Sequence, residues 1–216
     1  MNVIAIDGPA ASGKSSVAHL VAERLGWTFV NTGNMYRAMT WAILQRGVDP
    51  ADSEGVARAA AEVSIDFDTA NGQSTIRIDG RPPGPELTGD EVNKSVSIVA
   101  AVPAVRERLV ASQRALAVLG PLVMEGRDIG TVVFPDAAFK FYIDASEEVR
   151  AARRRAQGHA DSVGERDRLD TTRKTSPLVA APDAIVIDSS HMTLPEVVEH
   201  VLAVLRGRGL ASSSAW

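Results

Sequence analysis

The sequence predicts an α/β protein, a central parallel sheet with helices on both faces. Three observations carry this. Short apolar runs alternate with helical periodicities along most of the chain. A glycine-rich loop joins the first run to the first helical stretch. The chain has 216 residues, 45% of them apolar, which is enough for one large domain or a domain with an insert.

The elements follow in order. NVIAID (2–7) is a short apolar strand. Residues 14–25 carry Val17, Leu20, Val21 and Leu25 at helical spacing, and Gly26 stops the helix. A strand is expected at 28–30 and a helix at 33–46, closed by Gly47. Residues 122–124 and 139–143 read as buried strands. Residues 146–157 read as a helix, with Ser146 as N-cap and Glu147 and Glu148 where carboxylates suit the helix dipole. A last strand falls at 184–187 and a last helix at 194–206, with Pro195 in its first turn. The alternation of strand and helix calls for parallel strands with crossover helices.

One stretch departs from this. From Val63 to Leu87 the text reads SIDFD, an Asn71-Gly72 turn, STIRID and the proline-rich RPPGPE. Asn-Gly between alternating runs predicts a hairpin, and a hairpin inside an α/β chain predicts an inserted lobe. Residues 51–100 hold four basic and nine acidic side chains, a balance of −5, so they account for all of the chain's −4. The expected organisation is a core of residues 1–62 and 101–210, an insert at 63–100, a lid near 154–172, and a frayed tail at 211–216.

Composition excludes several classes. The balance of 23 basic against 27 acidic residues argues against a generic nucleic-acid wrapper. With no cysteine there are no disulfides and no thiolate metal sites. The N-terminus lacks a signal-peptide pattern, and no run of about 18 apolar residues suggests a membrane span. A cytoplasmic protein is the expectation. The four histidines show no ligand spacing. Lysine occurs only at 14, 94, 140 and 174, so the positive charge is nearly all arginine. GC-rich coding and a need for guanidinium forks that grip phosphate both account for this.

The strongest motif is Gly8-Pro9-Ala10-Ala11-Ser12-Gly13-Lys14-Ser15, followed by Ser16. It matches G-x-x-x-x-G-K-[ST] between a predicted strand and a predicted helix. The glycines let the backbone wrap a phosphate chain, and loop amides at a helix N-terminus face the anion. Lys14 would reach the β- and γ-phosphates, and the Ser15 hydroxyl would hold Mg²⁺. The motif indicates a nucleoside triphosphate without saying what becomes of it.

Other features favour a kinase over a switch or motor. Asn-Lys-x-Asp, the guanine signature, is absent, and no apolar strand ends in an Asp-Glu pair. Arginines sit instead at loop-like places, Arg37, Arg106 and Arg127, and cluster late in the chain. Between 150 and 173 seven arginines meet four acids. A kinase joining a triphosphate to a phosphorylated acceptor must offset several negative charges in one cleft. The late segment reads as a mobile lid. Arg153, Arg154, Arg166 and Arg173 read as functional, whereas Arg150 and Arg155 read as a solvated helix face.

The blocks IDGPAASGKSS, NTGNMYR, VSIVAAVPAVRERL, EGRDIGTVVFPDA, FKFYIDAS, ERDRLDTTRKTSPL and DAIVIDSS run in order along nearly the whole chain. In these the sequence resembles the bacterial cytidylate kinase family of P-loop nucleoside monophosphate kinases. The resemblance implies a three-layer P-loop NTPase fold with a small β-containing substrate-binding insert and a short arginine-rich lid. It places Thr32, Gly33, Tyr36 and Arg37 at the monophosphate substrate, with Arg37 on the CMP phosphate. Ser97, Arg106 and Asp128 fall on the cytosine contacts. Arg127 falls on phosphate, Asp170 on the sugar hydroxyls, and Arg166 and Arg173 on phosphate from the lid side. Arg153 and Arg154 fall near the ATP purine and phosphates. Chemistry agrees for Asp128, since a carboxylate can accept from the cytosine amine where uracil offers a carbonyl. One departure stands out: between Arg155 and Arg166 this chain has only AQGHADSVGE, shorter than the family's helical lid.

The expected reaction is in-line transfer of the ATP γ-phosphoryl to CMP or dCMP, with Lys14, Arg127, Arg166 and Arg173 as the catalytic cations and Mg²⁺ as cofactor. A monomer without nucleic-acid or membrane partners is expected. A different acceptor such as UMP, or a nucleotide-dependent switch, are the competing readings.

Overall fold

In the computed structural model, residues 2–156, 163–173 and 176–210 are described, leaving aside the side chains of Val163, Glu165 and Arg166. The first strand, β1 (Val3–Asp7), is buried along its whole length. It lies between β5 (Leu122–Gly126) and β6 (Phe139–Asp144), parallel to both, with Ile4 opposite Val123 and Phe139. Outside β5 runs β2 (Thr28–Asn31), and outside β6 runs β7 (Ile185–Asp188), again parallel. Burial on both faces explains why the central strands β1 and β5 read as continuous apolar runs.

The hairpin forms as its turn chemistry demands. β3 (Ile65–Ala70) pairs antiparallel with β4 (Gln73–Ile78). Asn71 and Gly72 both take positive φ, 52° and 73°, the conformation of a tight type I′ turn. Rather than standing apart as a lobe, the hairpin continues the central sheet, through the pair Phe29 and Gln73. The full strand order is β3-β4-β2-β5-β1-β6-β7.

Two apolar layers cover the sheet, and the alternation of β1 divides between them. Val3 and Ala5 face a core filled by Met35, Met39, Ile43, Val105, Leu109 and Met124. Ile4 and Ile6 face another filled by Val17, Val21, Phe141, Val201 and Leu202. The second layer holds α1 (Lys14–Leu25) and α8 (Leu194–Gly207). α8 begins with a capping box in which Thr193 and Glu196 satisfy each other's backbone amides. The first layer holds α2 (Thr32–Gln45), α3 (Ser53–Glu62), α4 (Asp90–Val99) and α5 (Pro103–Leu116). α6 (Glu147–Ala156) and α7 (Val163–Thr171) lie near the phosphate loop. Of the expected lid, residues 157–162 lie outside the described part, as does the expected tail at 211–216.

Four helices, α3, α4, α5 and α7, are additions to the elements expected from sequence. α4 buries Asn93, Ser95 and Ser97 beside its valines, and α5 buries Arg106 and Gln113. Polar residues on the inward face break the apolar stripe that reveals a helix. The connection from β1 runs toward β2 and the one from its neighbour β5 runs the other way, toward β6, so the carboxyl ends of β1 and β5 mark the switch point where such sheets bind ligands.

Candidate nucleotide-binding cleft

The phosphate loop leaves β1 at Asp7 and enters α1 at Lys14. Gly8 (φ 153°) passes so close to β6 that a Cβ would stand 2.1 Å from the Ile143 carbonyl oxygen. Gly13 (φ 92°) precedes the first turn of α1. Four cations grip the loop's carbonyls. Arg127 donates to Gly8 at 3.0 Å, Lys14 to Pro9 at 3.0 Å, Arg150 to Ala10 at 3.2 Å and Arg153 to Ser12 at 3.1 Å. In a peptide unit C=O and N–H point oppositely. Holding the Ala10 and Ser12 carbonyls on one side therefore presents the Ala11 and Gly13 amides on the other, the arrangement an anion needs.

Ser15 donates its hydroxyl to Glu125 at 2.9 Å, and the Lys14 ammonium stands 4.0 Å from the other oxygen of that carboxylate. Glu125 is buried and closes β5 next to β1. Sequence reasoning ended the strand at Met124 and missed it. The signal was there, a lone acid directly after an apolar triplet.

Across the cleft, Thr32 donates to the Glu125 carbonyl at 2.8 Å, which pins the start of α2 to β5. Tyr36 is buried, and burial pushes its phenol up to about 12. Gln113 faces its hydroxyl and partly offsets that rise. The Arg106 guanidinium lies 5.4 Å from the Tyr36 ring centre and pairs with Asp128. Both charged groups of that pair are 4% exposed. Arg37 reaches the Leu87 carbonyl at 3.0 Å and the Asn93 amide oxygen at 2.7 Å.

Asp170 is a hub. Its carboxylate accepts from Ser97 at 3.2 Å, from Arg127 at 2.8 Å, and from Arg173. Burial works against the charge on Arg127, but Asp170, with Glu125 and Asp167 beyond it, raises its pKa. For Arg173 burial dominates and lowers it, although Asp170 opposes the shift. Asp7 holds the segment after Asp128. Its two oxygens accept from the Ile129 and Gly130 amides at 2.8 Å each, and burial raises its carboxyl to about 7. These bonds fix the π-helical turn Ile129–Val133.

One cleft joins these groups. Thr32, Gly33, Tyr36, Arg37, Ser97, Arg106, Arg127, Asp128, Asp170 and Arg173 all line it, and so do Ala10, Ala11, Gly13, Lys14, Ser15, Ser16 and Arg154. Gly8, Pro9, Ser12 and Arg153 do not. Arg153 braces the loop from behind, between the Ser12 carbonyl and Ser189. The Arg166 side chain lies outside the described part. Among the described residues, six basic and three acidic side chains line the cleft, a balance of +3 against the chain's −4.

The expectation for Arg150 is corrected. It is buried rather than solvated, and it ties Ala145, Ala10 and Asp167 together. Asp167 in turn accepts from the Ala10 amide at 3.0 Å, so this pair from α6 and α7 clamps the phosphate loop. Arg155 is exposed, as expected.

A family model described as cytidylate kinase matches residues 4–207. A cytidylate kinase of Pelotomaculum thermopropionicum is 49% identical over 212 residues, covering 93% of this chain and 94% of its own. A cytidylate kinase of Mycolicibacterium paratuberculosis is 48% identical over 218 residues, covering 95% and 96%. Among solved structures, a gluconokinase from Sinorhizobium meliloti matches with a TM-score of 0.50 at 19% identity, covering 97% of this chain and 94% of that one. At that identity the likeness speaks for the fold alone.

Proposed function

Since the chain belongs to the cytidylate kinase family, we propose that this cleft holds ATP at its phosphate-loop end and CMP or dCMP at its Asp128 end. The reaction is phosphorylation of CMP and dCMP by ATP. One observation carries the assignment of residues: a phosphate loop and a buried Ser97, Arg106 and Asp128 group open into the same cleft, with Arg37, Arg127 and Arg173 also on its wall.

The chemistry follows from those groups. The acceptor phosphate is already an anionic nucleophile, so no strong general base is required. Catalysis rests on alignment and on charge stabilisation. Lys14 and the loop amides hold the donor phosphates. Arg37 holds the acceptor phosphate, and Arg127 and Arg173 stabilise charge on the phosphoryl in flight. Arg166 joins them from α7 in this proposal. Asp170 keeps Arg127 and Arg173 aimed and meets the sugar. Asp128 accepts from the cytosine amine, while Ser97 and Arg106 serve the acceptor atoms of the base. Residues 63–100 act as the CMP-binding insert.

Ser15 and Glu125 bring a hydroxyl and a carboxylate within 2.9 Å at the end of the phosphate loop. Hard oxygen donors of this kind suit Mg²⁺, which is held by one or two protein oxygens plus phosphates. Bound there with ATP, the ion would neutralise charge on the β- and γ-phosphates.

A monomer is the proposed working unit. Among the described residues no helix is long and apolar enough to cross a membrane. The cytoplasm, with its ATP and CMP, is the proposed setting.

A coupled assay with ATP across CMP, dCMP, UMP and AMP tests this. CMP and dCMP should be the preferred acceptors, with little ATP turnover in their absence. Preference for AMP, or acceptor-independent hydrolysis at a comparable rate, would overturn it.

A further inference from the structure

We infer that Asn93 is a positioning residue that holds Arg37 and Arg154 in register on the cleft wall. Its amide oxygen accepts from Arg37 at 2.7 Å and from Arg154 at 3.4 Å, while its amide nitrogen donates to the Thr88 carbonyl at 2.7 Å. Asn93 is 5% exposed, so the side chain is fixed in one orientation by burial as well as by these bonds. Arg37 comes from α2, Arg154 from α6 and Asn93 from α4. A single oxygen thus ties together three elements that meet at the cleft.

The choice of an amide has a chemical reason. Elsewhere in the cleft carboxylates hold the arginines, Asp128 for Arg106 and Asp170 for Arg127 and Arg173. An aspartate at 93 would offer the same acceptor but would add a negative charge beside both guanidinium groups. It would then compete with the phosphates they serve. Asparagine orients them and cancels nothing. The Thr88 carbonyl also selects the amide, since a carboxylate there would face a carbonyl oxygen with no proton between them.

This inference rests on the proposal that Arg37 binds the CMP phosphate, and its test separates the two. Steady-state constants are measured for Asn93→Ala, Asn93→Asp, Arg37→Ala and the Asn93→Ala/Arg37→Ala double variant, each checked for a cooperative melt. Asn93→Ala should raise KM for CMP about tenfold, with a smaller rise for ATP. Asn93→Asp should raise it further, despite keeping an acceptor. In the Arg37→Ala background, Asn93→Ala should add almost nothing, because the residue acts through Arg37. If Asn93→Ala fails to fold, Asn93→Ser replaces it in the cycle. Full additivity in the cycle, or an Asn93→Asp enzyme with unchanged KM for CMP, overturns the inference alone. Unchanged KM for CMP in Arg37→Ala overturns the phosphate assignment, and the inference with it.

Discussion

Asp128→Asn isolates the charge that reads the base. The residue is 4% exposed and pairs with an equally buried Arg106 on the cleft wall. Cytosine presents an amine to the carboxylate, and uracil presents a carbonyl. A hydrogen bond to a charged acceptor is worth about 1.5–3 kcal/mol, and an unmatched carbonyl facing a buried carboxylate adds a cost of similar size. About 3 kcal/mol of discrimination corresponds to slightly more than a hundredfold in kcat/KM. Asparagine keeps the volume and removes the charge. Its amide can turn to accept from cytosine or donate to uracil, so the CMP-to-UMP ratio should fall by about a hundredfold, through loss on CMP and gain on UMP. KM for ATP should hardly move, since the phosphate loop is untouched. Arg106 keeps only a neutral partner, at a cost of up to about 3–5 kcal/mol and a fall in Tm of up to roughly 6–20 °C for a chain of this size. The assay is kcat/KM for both acceptors at saturating ATP, below the variant's melt. A cooperative melt with an unchanged ratio would remove Asp128 from base recognition.

Other perturbations address the frame around the cleft. Burial lifts the Asp7 carboxyl from 3.8 to about 7, so between those values the folded chain holds a proton the unfolded chain has released. The stability this group contributes is full below about pH 4, declines as pH rises toward 7 and is level above it, a span of about 4 kcal/mol. Asp7→Asn should flatten that decline in calorimetric melts between about pH 4 and 7, and parallel slopes for the two proteins in that window would count against it. Gly8→Ala drives a methyl into the Ile143 carbonyl. ATP affinity, read by titration, should drop by at least about tenfold, and near-normal binding would mean the loop relaxes freely. Glu125→Gln keeps an acceptor for Ser15 but removes the charge beside Lys14. The Mg²⁺ concentration for half-maximal rate should rise about tenfold with KM for CMP unchanged, whereas a rise confined to CMP would place Glu125 on the acceptor side.

Much of this architecture was legible from local chemistry. The central strands β1 and β5 are buried on both faces and so read as apolar runs. The hairpin was legible because Asn71-Gly72 supplies two positive φ angles that few other pairs accept. Its attachment to β2 was not, since a single pair, Phe29 with Gln73, makes the junction. α4 and α5 were hidden because their inward faces carry Asn93, Ser97, Arg106 and Gln113 in place of aliphatic residues. The cleft interrupts the pattern that reveals a helix. Glu125 heads the EGRDIGTVVFPDA block and Asn93 lies outside the quoted blocks, and the roles of both follow only from partners 110 and 56 residues away in sequence. Arg150 misled for the opposite reason. It sits in an arginine-rich helix that looks solvated, yet its partners Ala10 and Asp167 come from distant segments.

The central claim is that one cleft seats ATP and CMP end to end, with the base read by Ser97, Arg106 and Asp128. A crystal structure of the protein with CMP tests it most directly. The account predicts the cytosine amine within hydrogen-bond distance of the Asp128 carboxylate and the phosphate on Arg37, with the phosphate loop left for the donor. CMP bound with its phosphate in the Gly8–Ser15 loop, or with its base away from Asp128, would contradict it.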